Sequence, residues 1–173
     1  MDFLNSIKEM IPDYAKDIRL NIDGTIARST LEGNDALGVA LSAAFAAKNR
    51  KFVDAIRESG LLSPEEVNAA LTASALMGMN NVWYPFVEMA GDADLKTLPA
   101  QLRMNAYASH GGVDKRRFEM YALAASIIGK CHFCIQSHSE LLKQEGMSVQ
   151  QLRDIGRIAA VVNAATLCMV ASS

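Results

Sequence analysis

The residues of this chain best suited to chemistry are two cysteines and a histidine, Cys131, Cys134 and His138. Their spacing places all three side chains on one face of a helix. Gly129 precedes them and favours the end of one helix, so Cys131 is expected near the N-terminus of the next. Unpaired N–H groups at such an end favour a thiolate. A close cysteine pair in a chain with three cysteines indicates redox chemistry.

The two cysteines are expected to have different roles. His138 lies one turn beyond Cys134 and can activate that thiol directly or through a water molecule. We therefore predict that Cys134 attacks a peroxide and becomes a sulfenic acid, and that Cys131 then condenses with it to a disulfide. The helix-end argument alone would favour Cys131 as the nucleophile. The pattern predicts a thiol peroxidase with a Cys131–Cys134 redox disulfide.

Glu119 is the candidate for orienting the histidine. It lies 12 positions before Cys131, which is about 18 Å along an unbroken helix. Its carboxylate can approach His138 only if the chain bends at Gly129. With that bend, Glu119 and His138 would form a proton relay to the thiol.

Two other interpretations of the same residues stay open. The dithiol could be an electron carrier that hardly reacts with peroxide itself. It could also be part of a zinc site, with Cys131, Cys134, His138 and a fourth ligand such as His132. Three ligands on one continuous helical face suit a closed tetrahedral site poorly, so we predict no bound metal. No glycine-rich phosphate loop occurs, and we predict no bound cofactor.

The composition indicates a helical globular protein without a nucleic-acid partner. Half of the 173 residues are hydrophobic, and the formal net charge of -2 argues against electrostatic binding to nucleic acid. The longest apolar stretch, residues 158–171, is shorter than the ~20 residues that span a bilayer. The N-terminus lacks the apolar core of a signal peptide. We therefore expect a cytoplasmic protein with no membrane partner.

Helical periodicity extends over almost the whole chain, and no alternating strand pattern stands out. We predict an all-α fold, a multi-helix bundle that forms a single domain over residues 1–173. Start and stop signals predict helices over residues 3–11, from Asn34 or Asp35, and over 52–61, 65–77, 97–108, 114–128, 131–144 and 148–171.

A weak internal repeat divides the chain into residues 64–110 and 114–171. Residues 73–80 resemble residues 124–131, which lie 51 positions later. In the first copy, the positions that align with the two cysteines and the histidine are Asn80, Trp83 and Val87. We therefore predict a duplicated helical unit with a scaffold half and an active-site half.

Over nearly its full length the chain resembles the AhpD-type alkyl hydroperoxidases of the carboxymuconolactone-decarboxylase-like superfamily. The resemblance rests on residues 11–18 (IPDYAKDI), 75–82 (ALMGMNNV) and 102–105 (LRMN). It also rests on the site pattern Glu119-x11-Cys131-x2-Cys134-x3-His138. It implies a bundle built from a duplicated unit and assembled as a homotrimer. The wider superfamily adds a decarboxylase without redox change as a further alternative.

The resemblance also implies a substrate, partners and residue roles. The family reduces alkyl hydroperoxides with electrons from dihydrolipoamide on a lipoyl-bearing acyltransferase, and it is described as reducing the AhpC peroxiredoxin. Cys134 then corresponds to the sulfenic-acid-forming cysteine, Cys131 to its resolving, proton-donating partner, and His138 with Glu119 to the relay. The chain departs inside the dithiol, because Phe133 stands where a family member has histidine. His132, one position earlier and about 100° around the helix, is a possible auxiliary residue.

Overall fold

The computed structural model describes residues 3–171, and within that range the regular structure is helical, with no strand. This confirms the predicted all-α fold. The ten α-helices of the described part are α1 (Phe3–Glu9), α2 (Lys16–Ile22), α3 (Asp35–Ala46), α4 (Arg50–Glu58), α5 (Pro64–Met89), α6 (Ala93–Thr97), α7 (Asn105–Ala108), α8 (Lys115–Gly129), α9 (His132–Gln144) and α10 (Val149–Ala171). Short 3-10 turns lie at Asp13–Ala15 and His110–Gly112, and a π turn lies at Asp23–Ala27.

Side-chain caps explain why the long helices begin where the sequence predicts. Ser63 and Glu66 form a reciprocal capping box ahead of α5, with Ser63 Oγ accepting from the Glu66 N–H at 3.2 Å. Asp114 caps α8 by accepting from the Arg117 N–H at 2.9 Å. Ser148 accepts from the N–H of the residue three positions later at 3.2 Å, at the start of α10. Each cap satisfies N–H groups that have no partner within the helix.

Helix α5 is longer than predicted, because it continues past Met77 to Met89. Gly78 and Pro85, which signal a helix end, both lie inside it. Space is open around Gly78, and the buried side chains of Met77 and Asn80 anchor the helix on either side. Tertiary packing therefore outweighs the local propensity for a break.

The predicted helix over residues 97–108 is wrong. Leu98 is extended, with φ -81° and ψ 133°, because it precedes Pro99, whose ring disfavours the helical region for its neighbour. Gln101 adopts a positive φ of 51°. The chain is therefore irregular from residue 98 to 104, and only the four residues of α7 are helical before residue 110.

The hydrophobic core is built around α3, whose residues 35–44 are all buried. Helices α5, α8 and α10 pack against it. Small residues permit this close packing: a Cβ added at Gly38 would overlap the ring of Tyr121 on α8. The resulting layer positions α8, and α8 in turn carries Glu119.

Helix α10 is long and apolar enough to cross a membrane by length and composition, with a mean hydropathy of 1.5. In the fold, however, 56% of that apolar window is buried. Ile155, Ile158 and Val162 are fully buried. The core helices of globular proteins can be equally long and apolar, so the length and composition of α10 do not identify it as a membrane helix.

The single domain over residues 1–173 and the internal duplication stay predictions. One core cluster extends from Leu4 to Met169. The two proposed halves differ at one point: α5 is continuous, whereas the corresponding part of the second half divides into α8 and α9.

Candidate active site at the start of helix α9

The two cysteines lie at a sharp bend between α8 and α9. Lys130 adopts the left-handed conformation, with φ 55° and ψ 32°, which ends α8. Cys131 is extended and is the N-cap of α9, where its Sγ accepts a hydrogen bond from the Cys134 N–H at 3.3 Å. The sequence places a helix start beside Cys131, and the structure has it there.

Gly129 is required at this bend for a reason that the sequence does not show. A Cβ at this position would overlap the side chain of Asn81 on α5. Asn81 donates from its amide to the Ala125 carbonyl at 3.1 Å. The close approach of α5 therefore explains the glycine, while the reversal of the chain occurs one residue later, at Lys130.

Cys131 and Cys134 form a disulfide bond, with their Cα atoms 5.3 Å apart. The two cysteines differ in their position relative to the surface. Cys131 is fully buried. Cys134 is 3% exposed and lines an open cleft of about 410 Å³. Small molecules can therefore approach the pair from the Cys134 side.

The walls of this cleft are largely apolar. Besides Cys134 and His138 they consist of Asn80, Tyr84, Met104, Tyr107, Ala108, Phe133 and Ser137. Tyr84 and Phe133 are stacked with their ring centroids 4.3 Å apart. Such a cleft suits a small molecule with an organic group and one polar end.

The bend brings Glu119 of α8 against His138 of α9. Glu119 Oε2 lies 2.6 Å from His138 Nδ1. Glu119 is fully buried and His138 is 6% exposed. A carboxylate at Nδ1 favours the proton on that nitrogen and orients the ring.

Two further side chains, which sequence reasoning missed, complete this pair. The Tyr107 hydroxyl on α7 donates a hydrogen bond to Glu119 Oε1. On the other side, the Met77 Sδ lies 3.1 Å from His138 Nε2. Met77 belongs to the 75–82 motif, but nothing in that motif predicts a contact with His138, which lies 61 positions later in the chain. Nothing in the sequence around Tyr107 indicates its partner.

The surroundings of Glu119 favour its ionised form. Burial alone would raise the pKa of this carboxyl. The hydrogen bonds with His138 and Tyr107 and the charges of His138 and Lys115 outweigh burial and hold the pKa below its ordinary value. Conversely, burial first and then the bond and charge of Glu119 raise the pKa of the Tyr107 phenol. Tyr107 therefore stays protonated and remains a donor.

His132 is not part of this cleft. It is exposed and lines a neighbouring cleft of about 580 Å³ together with Trp83 and Lys96. Phe133 and Tyr84 line both clefts and lie between them. The structure thus brings Cys131, Cys134, His138 and Glu119 together and leaves His132 outside.

The zinc alternative finds no ligand cluster in the described part of the chain. Between residues 3 and 171, no three His, Cys, Asp or Glu side chains are grouped so as to hold a metal ion. The sulfurs of Cys131 and Cys134 are bonded to each other. His138 faces Glu119 and Met77.

The chain is similar to known proteins over most of its length. Residues 93–172, which include both cysteines, match the "Carboxymuconolactone decarboxylase family" profile. Among curated relatives, alkyl hydroperoxide reductase AhpD of Rhodospirillum centenum is 41% identical over 163 residues, covering 93% of this chain and 87% of the relative. AhpD of Maricaulis maris is 40% identical over 172 residues, covering 98% and 99%. AhpD of Coxiella burnetii is 38% identical over 165 residues, covering 92% and 93%. With such identity over almost the whole length, the chain belongs to the AhpD family.

Proposed function

We propose that this protein is an alkyl hydroperoxide reductase that uses Cys131 and Cys134 as a catalytic dithiol. One observation carries the proposal: Cys134 lines an apolar cleft together with His138, and a buried carboxylate orients that histidine. The similarity to relatives that are alkyl hydroperoxide reductases by name supports it.

The first step takes place at Cys134 in the reduced protein. His138 accepts the thiol proton, directly or through a water molecule, and Glu119 stabilises the imidazolium that forms. The Cys134 thiolate attacks one peroxide oxygen, so an S–O bond forms and the O–O bond breaks. Both electrons of the O–O bond leave with the alkoxide, which takes a proton from His138 and departs as the alcohol. Cys134 is then a sulfenic acid.

The second step forms the disulfide. The Cys131 sulfur attacks the Cys134 sulfur, an S–S bond forms, and the hydroxyl of the sulfenic acid leaves with the Cys131 proton as water. The sum is one peroxide and one dithiol giving one alcohol, one water and one disulfide. The position of Cys131 supports this role, since its Sγ is the N-cap of the helix that carries Cys134.

We further propose that an external dithiol, dihydrolipoamide on a lipoyl-bearing acyltransferase, returns two electrons and two protons to the disulfide. The position of Cys134 in the cleft wall supports this reductant, because a flexible lipoyl arm can reach into a cleft of about 410 Å³. On the family resemblance alone, we also propose AhpC as a partner, a homotrimer as the assembly and the cytoplasm as the location.

The proposal is tested by stopped-flow reaction of the reduced protein with one equivalent of cumene hydroperoxide. We expect the loss of two thiols per peroxide in the wild type and no reaction in Cys134→Ser. In Cys131→Ser we expect a sulfenic acid at Cys134 that dimedone labels. Cys168→Ser, altered on α10 outside the site, is the control and should match the wild type.

Other outcomes would assign other functions. No thiol loss with peroxide, together with rapid reduction of AhpC disulfide, would identify an electron carrier. A Cys131→Ser protein that still turns over a carboxymuconolactone would identify a decarboxylase. Activity with a reduced lipoyl domain that exceeds the activity with glutathione would support the proposed reductant, and the reverse would contradict it.

A further inference from the structure

Tyr107 is a polar residue of the cleft wall to which no step of the proposed reaction assigns a role. Its side chain is half-buried and lines the same cleft as Cys134 and His138. The ring meets Phe118 of α8 edge-on, with centroids 5.3 Å apart and an interplanar angle of 87°. The hydroxyl reaches the next residue along α8, Glu119. Two contacts with consecutive residues fix the tyrosine relative to α8.

The hydroxyl of Tyr107 meets an electrostatic need of Glu119. A carboxylate with no solvent exposure must obtain its hydrogen bonds from the protein, or it becomes protonated. His138 provides one donor, at Oε2. Tyr107 provides the other, at Oε1. The phenol, whose pKa is raised, does not give up its proton in the physiological range.

The two donors of Glu119 act differently during a reaction. The charge of His138 changes as it accepts and returns a proton, so its attraction for the carboxylate changes as well. The Tyr107 hydroxyl is a constant donor. Without it, the buried carboxylate would depend on a partner whose charge varies, and the neutral acid would be favoured whenever His138 is neutral.

We propose that Tyr107 is a positioning residue for the peroxidase reaction: its hydroxyl keeps Glu119 ionised and aimed at His138 Nδ1. The role rests on the proposed function, because it acts through the Glu119–His138 relay. This role would also explain the short helix α7, which places Tyr107 in the cleft wall. Among the described residues, Tyr107 has the one hydroxyl that bonds to the Glu119 carboxylate.

A purely structural role for Tyr107 makes a different prediction. If Tyr107 only anchors α7, its removal would change stability and the KM for peroxide but not the titration of Glu119. The Tyr107→Phe variant separates the two roles, because it keeps the ring and its packing on Phe118 and removes the hydroxyl alone.

The experiment is a pH titration of the fully reduced protein labelled with 13C at the glutamate carboxyl, followed by NMR. Glu119→Gln identifies the Glu119 signal. In Tyr107→Phe we expect the midpoint of the Glu119 titration to rise by about one pH unit, the size expected for the loss of a hydrogen bond to a charged group. Tyr84→Phe, which removes a hydroxyl from the same cleft, should leave that midpoint unchanged.

Kinetics supply the second measurement. In Tyr107→Phe we expect the acid limb of kcat for cumene hydroperoxide to move to higher pH in step with the Glu119 midpoint, with KM unchanged. An unchanged Glu119 midpoint in Tyr107→Phe would overturn the inference. Absence of peroxidase activity in the wild type would instead refute the proposed function, and the NMR titration would still decide whether Tyr107 controls Glu119.

Discussion

His138 Nδ1 and Glu119 Oε2 lie 2.6 Å apart although their residues belong to different helices and are 19 positions apart in the chain. The left-handed Lys130 makes this contact possible, since it ends α8 and turns the chain so that α9 packs beside α8. Both side chains are buried. The pair is therefore shielded from solvent and lies beside the cleft, which His138 lines.

Replacement of Glu119 by Gln should slow the reaction with peroxide by about 10²-fold, because the amide cannot stabilise an imidazolium at His138. The rate of thiol loss with cumene hydroperoxide, measured by stopped flow, gives the effect directly. Glu140→Gln, an exposed change on α9, is the matched control and should keep the wild-type rate. A Glu119→Gln protein with full activity would show that the relay assignment is wrong.

Phe133 should determine how well the cleft holds organic peroxides. It is 54% exposed and is stacked on Tyr84 at the cleft wall. In Phe133→Ala we expect the KM for cumene hydroperoxide to rise several-fold, up to about tenfold, from lost apolar contact. The KM for hydrogen peroxide, which has no organic group, should stay constant.

The ratio of the two KM values in steady-state assays is the measurement. Tyr14→Ala, which removes another exposed aromatic ring outside this cleft, is the control. An equal rise for both peroxides in Phe133→Ala would point to a displaced Cys134 rather than to a lost substrate contact.

Asp154 should make the free energy of unfolding depend on pH. Its side chain is 1% exposed and accepts from the Thr30 N–H and hydroxyl at 2.8 and 2.9 Å. Burial would raise the pKa, but the bonds from Thr30, Arg157 and Arg153 outweigh burial and lower it from 3.8 to about 2. Because the pKa of Asp154 is lower in the folded state than in the unfolded state, its ionised form stabilises the fold at pH values above the unfolded-state pKa. This contribution is lost as the pH falls towards 2.

Asp154→Asn should therefore lower the free energy of unfolding at pH 7 by up to about 2 kcal/mol, and by progressively less between pH 4 and pH 2. Urea unfolding at several pH values measures this difference. Asp54→Asn, which breaks the exposed ion pair with Arg50, is the control and should cost less than about 1 kcal/mol. A constant difference between Asp154→Asn and the wild type at all pH values would contradict the assignment.

Gly129→Ala should destabilise the protein by about 1–3 kcal/mol, because its Cβ would overlap the Asn81 side chain and force α5 and α8 apart. Gly156→Ala is the matched control: it lies within α10 with open space around its Cβ, so it should be neutral or stabilise by up to about 1 kcal/mol. Thermal unfolding of both variants is the measurement. A Gly129→Ala protein as stable as the wild type would show that the contact with Asn81 relaxes without cost.

The features predicted from the sequence are those that depend on neighbouring residues. Ser63, Asp114 and Ser148 mark helix starts because a cap bonds to N–H groups two or three positions away. The start of α9 beside Cys131 and the bend needed by Glu119 belong to the same class. The site pattern could therefore be assembled from spacing and family resemblance.

The features that were missed depend on contacts between distant segments. Helix α5 continues through Gly78 and Pro85 because it packs along α8, which no local pattern records. The bond from Tyr107 to Glu119 requires the irregular residues 98–104 to place α7 against α8, and the sequence predicts a continuous helix there. Met77 meets His138 for a similar reason, across 61 positions of chain.

The presence of Cys134, and not Cys131, in the cleft wall has a kinetic consequence. Cys131 has no solvent exposure, so any molecule that oxidises or reduces the pair must meet Cys134 in a single compartment. On the proposed reaction, oxidant and reductant are expected to take turns at Cys134 without being bound together, which is double-displacement turnover. Plots of reciprocal rate against reciprocal peroxide concentration, at several reductant concentrations, should be parallel lines. A large excess of either molecule should inhibit the reaction by competing with the other for the cleft.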